Sequence, residues 1–193
     1  MASQARFSLH RPTPSAVEGF RRSQASLPYS YDAVGATRGE PPPGFTVDHN
    51  RTRLGHGKQV YAAARDAVRA WRMFRLAWVQ ASPGDAAIAV TTTVAILARA
   101  GPLWTLNACR IVYVLAEERR YGFAYGTLPG HVERGEERFM VAWDDEDVVW
   151  YDILAYSRPH HPLARLGYPL TRRLQRRFAV DSMAAMVAAS ASR

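Results

Sequence analysis

Hydrophobic and polar positions change period twice along this chain. Across residues 45–54 they alternate as in a strand, until Gly55-His56-Gly57 breaks the run. From Lys58 the period turns helical. Val60, Ala64, Ala67, Val68, Trp71 and Phe74 recur at three- and four-residue steps, with Arg65, Asp66, Arg69 and Arg72 largely opposite. The glycine pair predicts a tight strand-to-helix turn, not a phosphate loop, because no Gly-Lys-Ser/Thr follows. After Phe74 strand-like runs return. Strands are predicted at 76–80, 107–116, 121–127, 137–143 and 148–156, and the β-branched stretch 86–96 predicts one long strand or two. Pro83-Gly84-Asp85, Gly101-Pro102 and Asp144-Asp145-Glu146-Asp147 supply turns between them. Consecutive strands with short turns predict an antiparallel meander. Residues 169–189 then predict a long helix, with Pro169 in its first turn and Leu170, Leu174 and Phe178 as its apolar stripe.

The order is strand, helix, about six strands, long C-terminal helix. An antiparallel sheet of this size buries one face, and the last helix is its natural cover. The expected class is α+β: six to seven antiparallel strands wrapped around a long C-terminal helix, a START-like helix-grip fold with a cavity between sheet and helix. A β-barrel without a cavity is the plainer alternative. Residues 1–28 lack periodicity and are expected to be a loosely ordered lead-in, leaving 29–193 as a single domain.

Charge changes this picture little. The net charge is +8, yet Lys58 is the single lysine among 25 basic residues, so the arginine excess reads as compositional bias. Residues 117–152 hold ten of the seventeen acids, while 158–177 hold six arginines and no acid. A basic helix face using Arg165, Arg172, Arg173 and Arg176 would suit an interaction module, but no nucleic-acid motif accompanies it and a nucleic-acid partner is not expected. The best membrane candidate, 93–115, is interrupted by Arg99 and Arg110, so no membrane insertion is expected. No signal segment is visible, which predicts a cytoplasmic protein. The lone Cys109 excludes an internal disulfide and reads as a small buried hydrophobe. Nothing in the sequence fixes an oligomeric state.

Several segments together resemble one family. They are VGAT (34–37), LGHG (54–57), WRMF (71–74), CRIVYV (109–114), AYGTLPGH (124–131) with GEERF (135–139), VWYDI (149–153), SRP (157–159) and YPLTRRLQRRF (168–178). In this order they resemble the family called domain of unknown function 1990, over roughly residues 29–187. The resemblance implies a helix-grip fold. It implies no activity and assigns no residue a role.

The stretch 123–139 carries the densest candidate chemistry. It is expected to be a hairpin with a connection of roughly eight residues, longer than usual, that gathers His131, Glu133, Glu136 and Glu137 into seven positions. The spacing H-x-E-x-x-E matches no standard ligand pattern, so no metal and no cofactor is expected. A solvated loop, with these groups pairing to Arg134 and Arg138, is the bland reading. Ser157, His160 and His161 lack the orienting carboxylate of a hydrolase triad. On the last helix, Arg177 and Asp181 fall in the sector of Leu170, Leu174 and Phe178 and can pair one turn apart, which predicts a polar handle facing the sheet.

Two functional expectations follow. The first is a non-enzymatic binder of a small hydrophobic or aromatic ligand, lined by Trp71, Phe74, Tyr125, His131, Glu136, Leu174, Arg177, Phe178 and Asp181. The second is an enzyme of lyase, cyclase or hydrolase type in the same cavity, with Tyr125, His131, Glu136 and Asp181 as acid/base groups.

Overall fold

The computed structural model describes residues 6–161 and 167–191. Eight strands form one antiparallel sheet. In chain order the elements are β1 (Arg6–Ser8), α1 (Pro14–Gln24), β2 (Thr46–His56), α2 (Gly57–Arg69), β3 (Val79–Ser82), β4 (Thr93–Ala100), β5 (Leu103–Ala116), β6 (Arg120–Thr127), β7 (Glu133–Trp143), β8 (Val148–Pro159) and α3 (Tyr168–Ser190). The strands run β2-β8-β7-β6-β5-β4-β3 across the sheet, and β1 pairs with the end of β5. The meander from β3 to β8 is therefore as the alternation predicts. β2, the first strand expected from the sequence, lies at the far edge beside β8.

Register shifts interrupt the ladder at Arg53/Gly55 and at Ile111/Tyr113. Such bulges bend a strand and sharpen its twist. The sheet curves accordingly around α2 and α3, which pack together on one face. Phe74, Phe123, Phe139, Tyr151, Ile153 and Met186 belong to the main core there. This is the helix-grip arrangement. Among the described residues no helix is long and apolar enough to cross a membrane.

Three expectations change. The expected loosely ordered lead-in is instead β1 and α1. Thr13 caps α1 by accepting from Ala16 N–H at 3.3 Å, and Pro14 occupies its first turn. Val17 and Phe20 then bury against Leu97, Leu106 and Leu128 on the outer face of the sheet. Three buried positions in eleven residues are too few to register as a period.

The second change is at β4, which starts only at Thr93. Thr91 takes a left-handed backbone conformation (φ 73°), and the Ala86 carbonyl accepts from the Trp71 indole at 2.8 Å, so residues 86–92 cannot run as a strand. The third is at β7, which begins at Glu133, shortening the hairpin connection to residues 128–132. Gly135 makes this possible. A Cβ there would lie 1.9 Å from the Tyr156 carbonyl oxygen of β8, and its φ is 150°.

Candidate functional site

A cavity of about 450 Å³ lies between the curved sheet and α3. Phe74, Trp78, Ile96, Ile153, Leu174 and Phe178 wall it, and Asn107, Tyr125, His131, Glu133, Glu137 and Gln175 form a polar end. The strands dictate this division. Glu137, Phe139 and Val141 alternate along β7, so Glu137 shares the inner face with the core phenylalanine. Tyr125 lies directly opposite Glu137 on β6, and its hydroxyl donates to Glu137 Oε2 at 2.8 Å.

Burial dominates the electrostatics of this end. It pushes the Glu137 carboxyl up to about 7, although the Tyr125 hydrogen bond pulls the other way. Burial, then the Glu137 charge, raises the Tyr125 phenol well above its ordinary value. Glu133 is raised by burial as well, against the lowering influence of neighbouring Ser157 and Gln175. Glu133 Oε2 accepts from the Gln175 side-chain amide of α3, while its buried Oε1 has no hydrogen-bond partner among the described residues. At the same end Asp48 of β2 takes Arg172 of α3 in a bidentate pair, with one bond at 2.6 Å.

His131 is lowered to about 4, chiefly by burial. Its Nδ1 lies 2.9 Å from the Glu133 backbone nitrogen and 3.1 Å from the Glu133 carbonyl oxygen, so both backbone groups of Glu133 hold the ring. The residues expected to be a lead-in hold this loop in place. The side chain of Gln24, fully buried at the end of α1, accepts from Gly130 N–H at 2.7 Å. A Cβ at Gly130 would meet that same oxygen at 2.7 Å, so only glycine lets the loop approach α1 so closely.

Of the residues expected at the site, Phe74, Tyr125, His131, Leu174 and Phe178 line the cavity. Trp71 does not. It is buried in the core, with its indole N–H spent on the Ala86 carbonyl. Glu136 borders the cavity, but its carboxylate is not a free acid/base group. It accepts from Tyr31 O–H at 2.7 Å, Gly35 N–H at 2.6 Å, Thr37 N–H at 3.0 Å and the Thr37 hydroxyl. These donors come from residues 31–37, so two segments of the family resemblance, VGAT and GEERF, are bound to each other.

Arg177 and Asp181 do form the expected pair, at 3.4 Å, but at the solvent edge, with side chains 57% and 36% exposed. They do not reach the Glu136-Glu137 end. Their contact with the cavity is indirect, through a wall residue. Asp181 Oδ2 accepts from the Trp78 indole at 2.7 Å, and the Arg177 guanidinium lies 4.6 Å from the Trp78 ring centroid.

Ser157 Oγ accepts from Gln175, and His160 Nδ1 accepts from Arg134. The basic patch expected on the last helix is divided, because Arg172 is committed to Asp48, and Arg165 lies outside the described residues. Glu133 and Glu137 stand in the sequence cluster, but a strand starting at 137 leaves Glu133 in the loop; with β7 starting at Glu133 both glutamates share the inner face. Gln175 carries no such signal, because a polar residue on an amphipathic helix reads as solvent-facing.

A curved antiparallel sheet gripping a C-terminal helix, with a largely apolar cavity between that is polar at one end, defines the START-like helix-grip fold. Among solved structures, a hypothetical protein from Helicobacter pylori shares this fold with a TM-score of 0.51 at 13% identity, covering 83% of this chain and 98% of that one. Residues 30–185 match the domain of unknown function (DUF1990), and the chain belongs to that family. The UPF0548 protein of Dictyostelium discoideum is 38% identical over 160 residues, covering 77% of this chain and 74% of that protein. The UPF0548 protein of Deinococcus radiodurans is 35% identical over 183 residues, covering 89% and 92%.

Proposed function

We propose that this protein binds a small hydrophobic or amphipathic molecule between the sheet and α3. The observation that carries this reading is the cavity itself. Its volume, about 450 Å³, falls in the range of small-molecule sites, and its aromatic and aliphatic walls close on a few convergent polar groups. Helix α3 forms one wall through Leu174 and Phe178, so an occupant would touch both layers of the fold.

The test uses a neutral fluorescent amphiphile, N-phenyl-1-naphthylamine. Saturable one-to-one binding is expected, with affinity falling at least about tenfold in Leu174→Trp, whose larger side chain fills the cavity. Absence of saturable binding to the unmodified protein overturns the reading.

One observation favours acid/base catalysis in the same cavity. Glu137 is held at about 7 and bonded to Tyr125, the condition of a carboxyl that exchanges a proton near neutrality. Tyr125 and His131 from the expected acid/base set lie on this cavity, whereas Glu136 is fully engaged elsewhere and Asp181 sits at the solvent edge. Recovery of a chemically altered ligand after incubation would mark an enzyme, and recovery of the unaltered ligand a binder.

A further inference from the structure

The polar end of the cavity is acidic, and the two basic groups that face it, Arg172 and His131, offer no free charge. Three carboxylates reach it from the inner side: Glu133 and Glu137 from β7 and Asp48 from β2. Arg172, which faces them from α3, is held by both oxygens of Asp48. His131 is neutral, because burial holds it near 4. The arginines that line the cavity among the described residues, Arg99 and Arg176, are exposed, and the Arg99 guanidinium donates to the Gly101 carbonyl at 2.9 Å. What remains is Glu137, with one oxygen on Tyr125, and Glu133, 7% exposed, with Oε1 unpartnered among the described residues. A buried carboxylate oxygen without a donor is costly, and a donor from a ligand would relieve it.

Resting on the reading of the cavity as a binding site, we infer that its ligand is an amphipathic organic cation, an amine whose ammonium group meets Glu133 and Glu137 and whose apolar body lies against Phe74, Trp78 and Phe178. The aromatic walls favour the same sign, since ring faces attract cations. A fatty-acid carboxylate of the same shape would meet like charge at the polar end, which disfavours it. A neutral alcohol measures the apolar contribution alone.

The experiment is calorimetric titration of the full chain with 1-octylamine, 1-octanol and octanoate. Octylamine is expected to bind about tenfold more tightly than octanol, with octanoate weakest. In Glu133→Gln/Glu137→Gln the octylamine-to-octanol ratio is expected to fall towards one.

A second measurement needs no variant. The groups facing Glu137 and Glu133 are Tyr125 on β6, Cys109 on β5, Tyr151 on β8, Asp48 on β2, His131 in the connecting loop and Arg172 on α3. Of these the tyrosines and the cysteine are raised, and stay protonated through neutrality. The octylamine preference should therefore shrink between about pH 8 and about pH 5, as Glu137 gains its proton near 7 while the amine stays charged. Octanoate binding as tightly as octylamine, or a preference that does not change with pH, overturns the inference and leaves the binding reading standing. Failure of all three ligands overturns both.

Discussion

Glu136 and Glu137 are neighbours in sequence and occupy opposite faces of β7. Parity alone separates their fates. Glu137 faces an apolar interior with one tyrosine hydroxyl as donor, and burial raises it to about 7. Glu136 faces four donors, two of them backbone N–H groups of residues 35 and 37. Four donors satisfy the Glu136 oxygens by hydrogen bonding, where Glu137 has one. Gly126 belongs to the same arrangement, because a Cβ there would lie 2.1 Å from the Tyr31 hydroxyl that reaches Glu136. Glu136→Gln puts an amide donor against donors and should cost on the order of 3 kcal/mol, read as a lowered urea midpoint with unchanged slope. A loss under about 0.5 kcal/mol would mean that residues 31–37 are held by something other than this carboxylate. In the sequence these residues were visible as a cluster, but not their directions. Glu137 opens the strand that the alternation predicts, whereas Glu136 precedes it and a loop has no parity; Gly135 lets the strand start early.

At the scale of elements, the two long helices differ in how far they could be read. Helix α3 was legible in place and length, because Pro169 and the following apolar positions announce it. Its rotation was not. Its buried side runs through Leu174, Phe178, Ser182 and Met186, a four-residue step that drifts about 40° per turn around the helix. The drift carries the contact away from Arg177 and Asp181, while Leu170, one step earlier on the same row, is 57% exposed and lines the cavity. Ser182 also escapes a hydrophobic count, although it is fully buried and hydrogen-bonded to the Tyr151 hydroxyl at 3.0 Å. Asp181→Asn and Arg177→Met should therefore each cost only about 0–1 kcal/mol in chemical denaturation, as exposed pairs do. Losses of about 3 kcal/mol or more in either would return the pair to the interior. Helix α1 was illegible for a different reason. It buries Val17, Phe20 and Gln24 against the outer face of a sheet whose existence has to be known first.

The whole molecule carries two opposed proton linkages in one cavity. The folded His131 ring resists protonation down to about 4, whereas an unfolded histidine takes its proton near 6.5. Stability from this group is complete above 6.5 and falls as pH drops towards 4. The folded Glu137 carboxyl keeps its proton up to about 7, whereas an unfolded glutamate releases it near 4.5. Stability from this group is complete below 4.5 and falls as pH rises towards 7. Each shift corresponds to on the order of 3 kcal/mol over its full window, with opposite sign. Between 4.5 and 6.5 they largely cancel in the unmodified protein. His160, lowered, acts in the sense of His131, and Glu133, raised, acts in the sense of Glu137, so both classes remain as a common background. Removing one member exposes the other. Relative to the unmodified protein, the urea midpoint of His131→Gln should rise on acidification from about pH 6.5 to about pH 4.5, and that of Glu137→Gln should fall. Variant profiles that stay parallel to the parent would show that neither group is held away from its ordinary value, and that the polar end of the cavity is open to water.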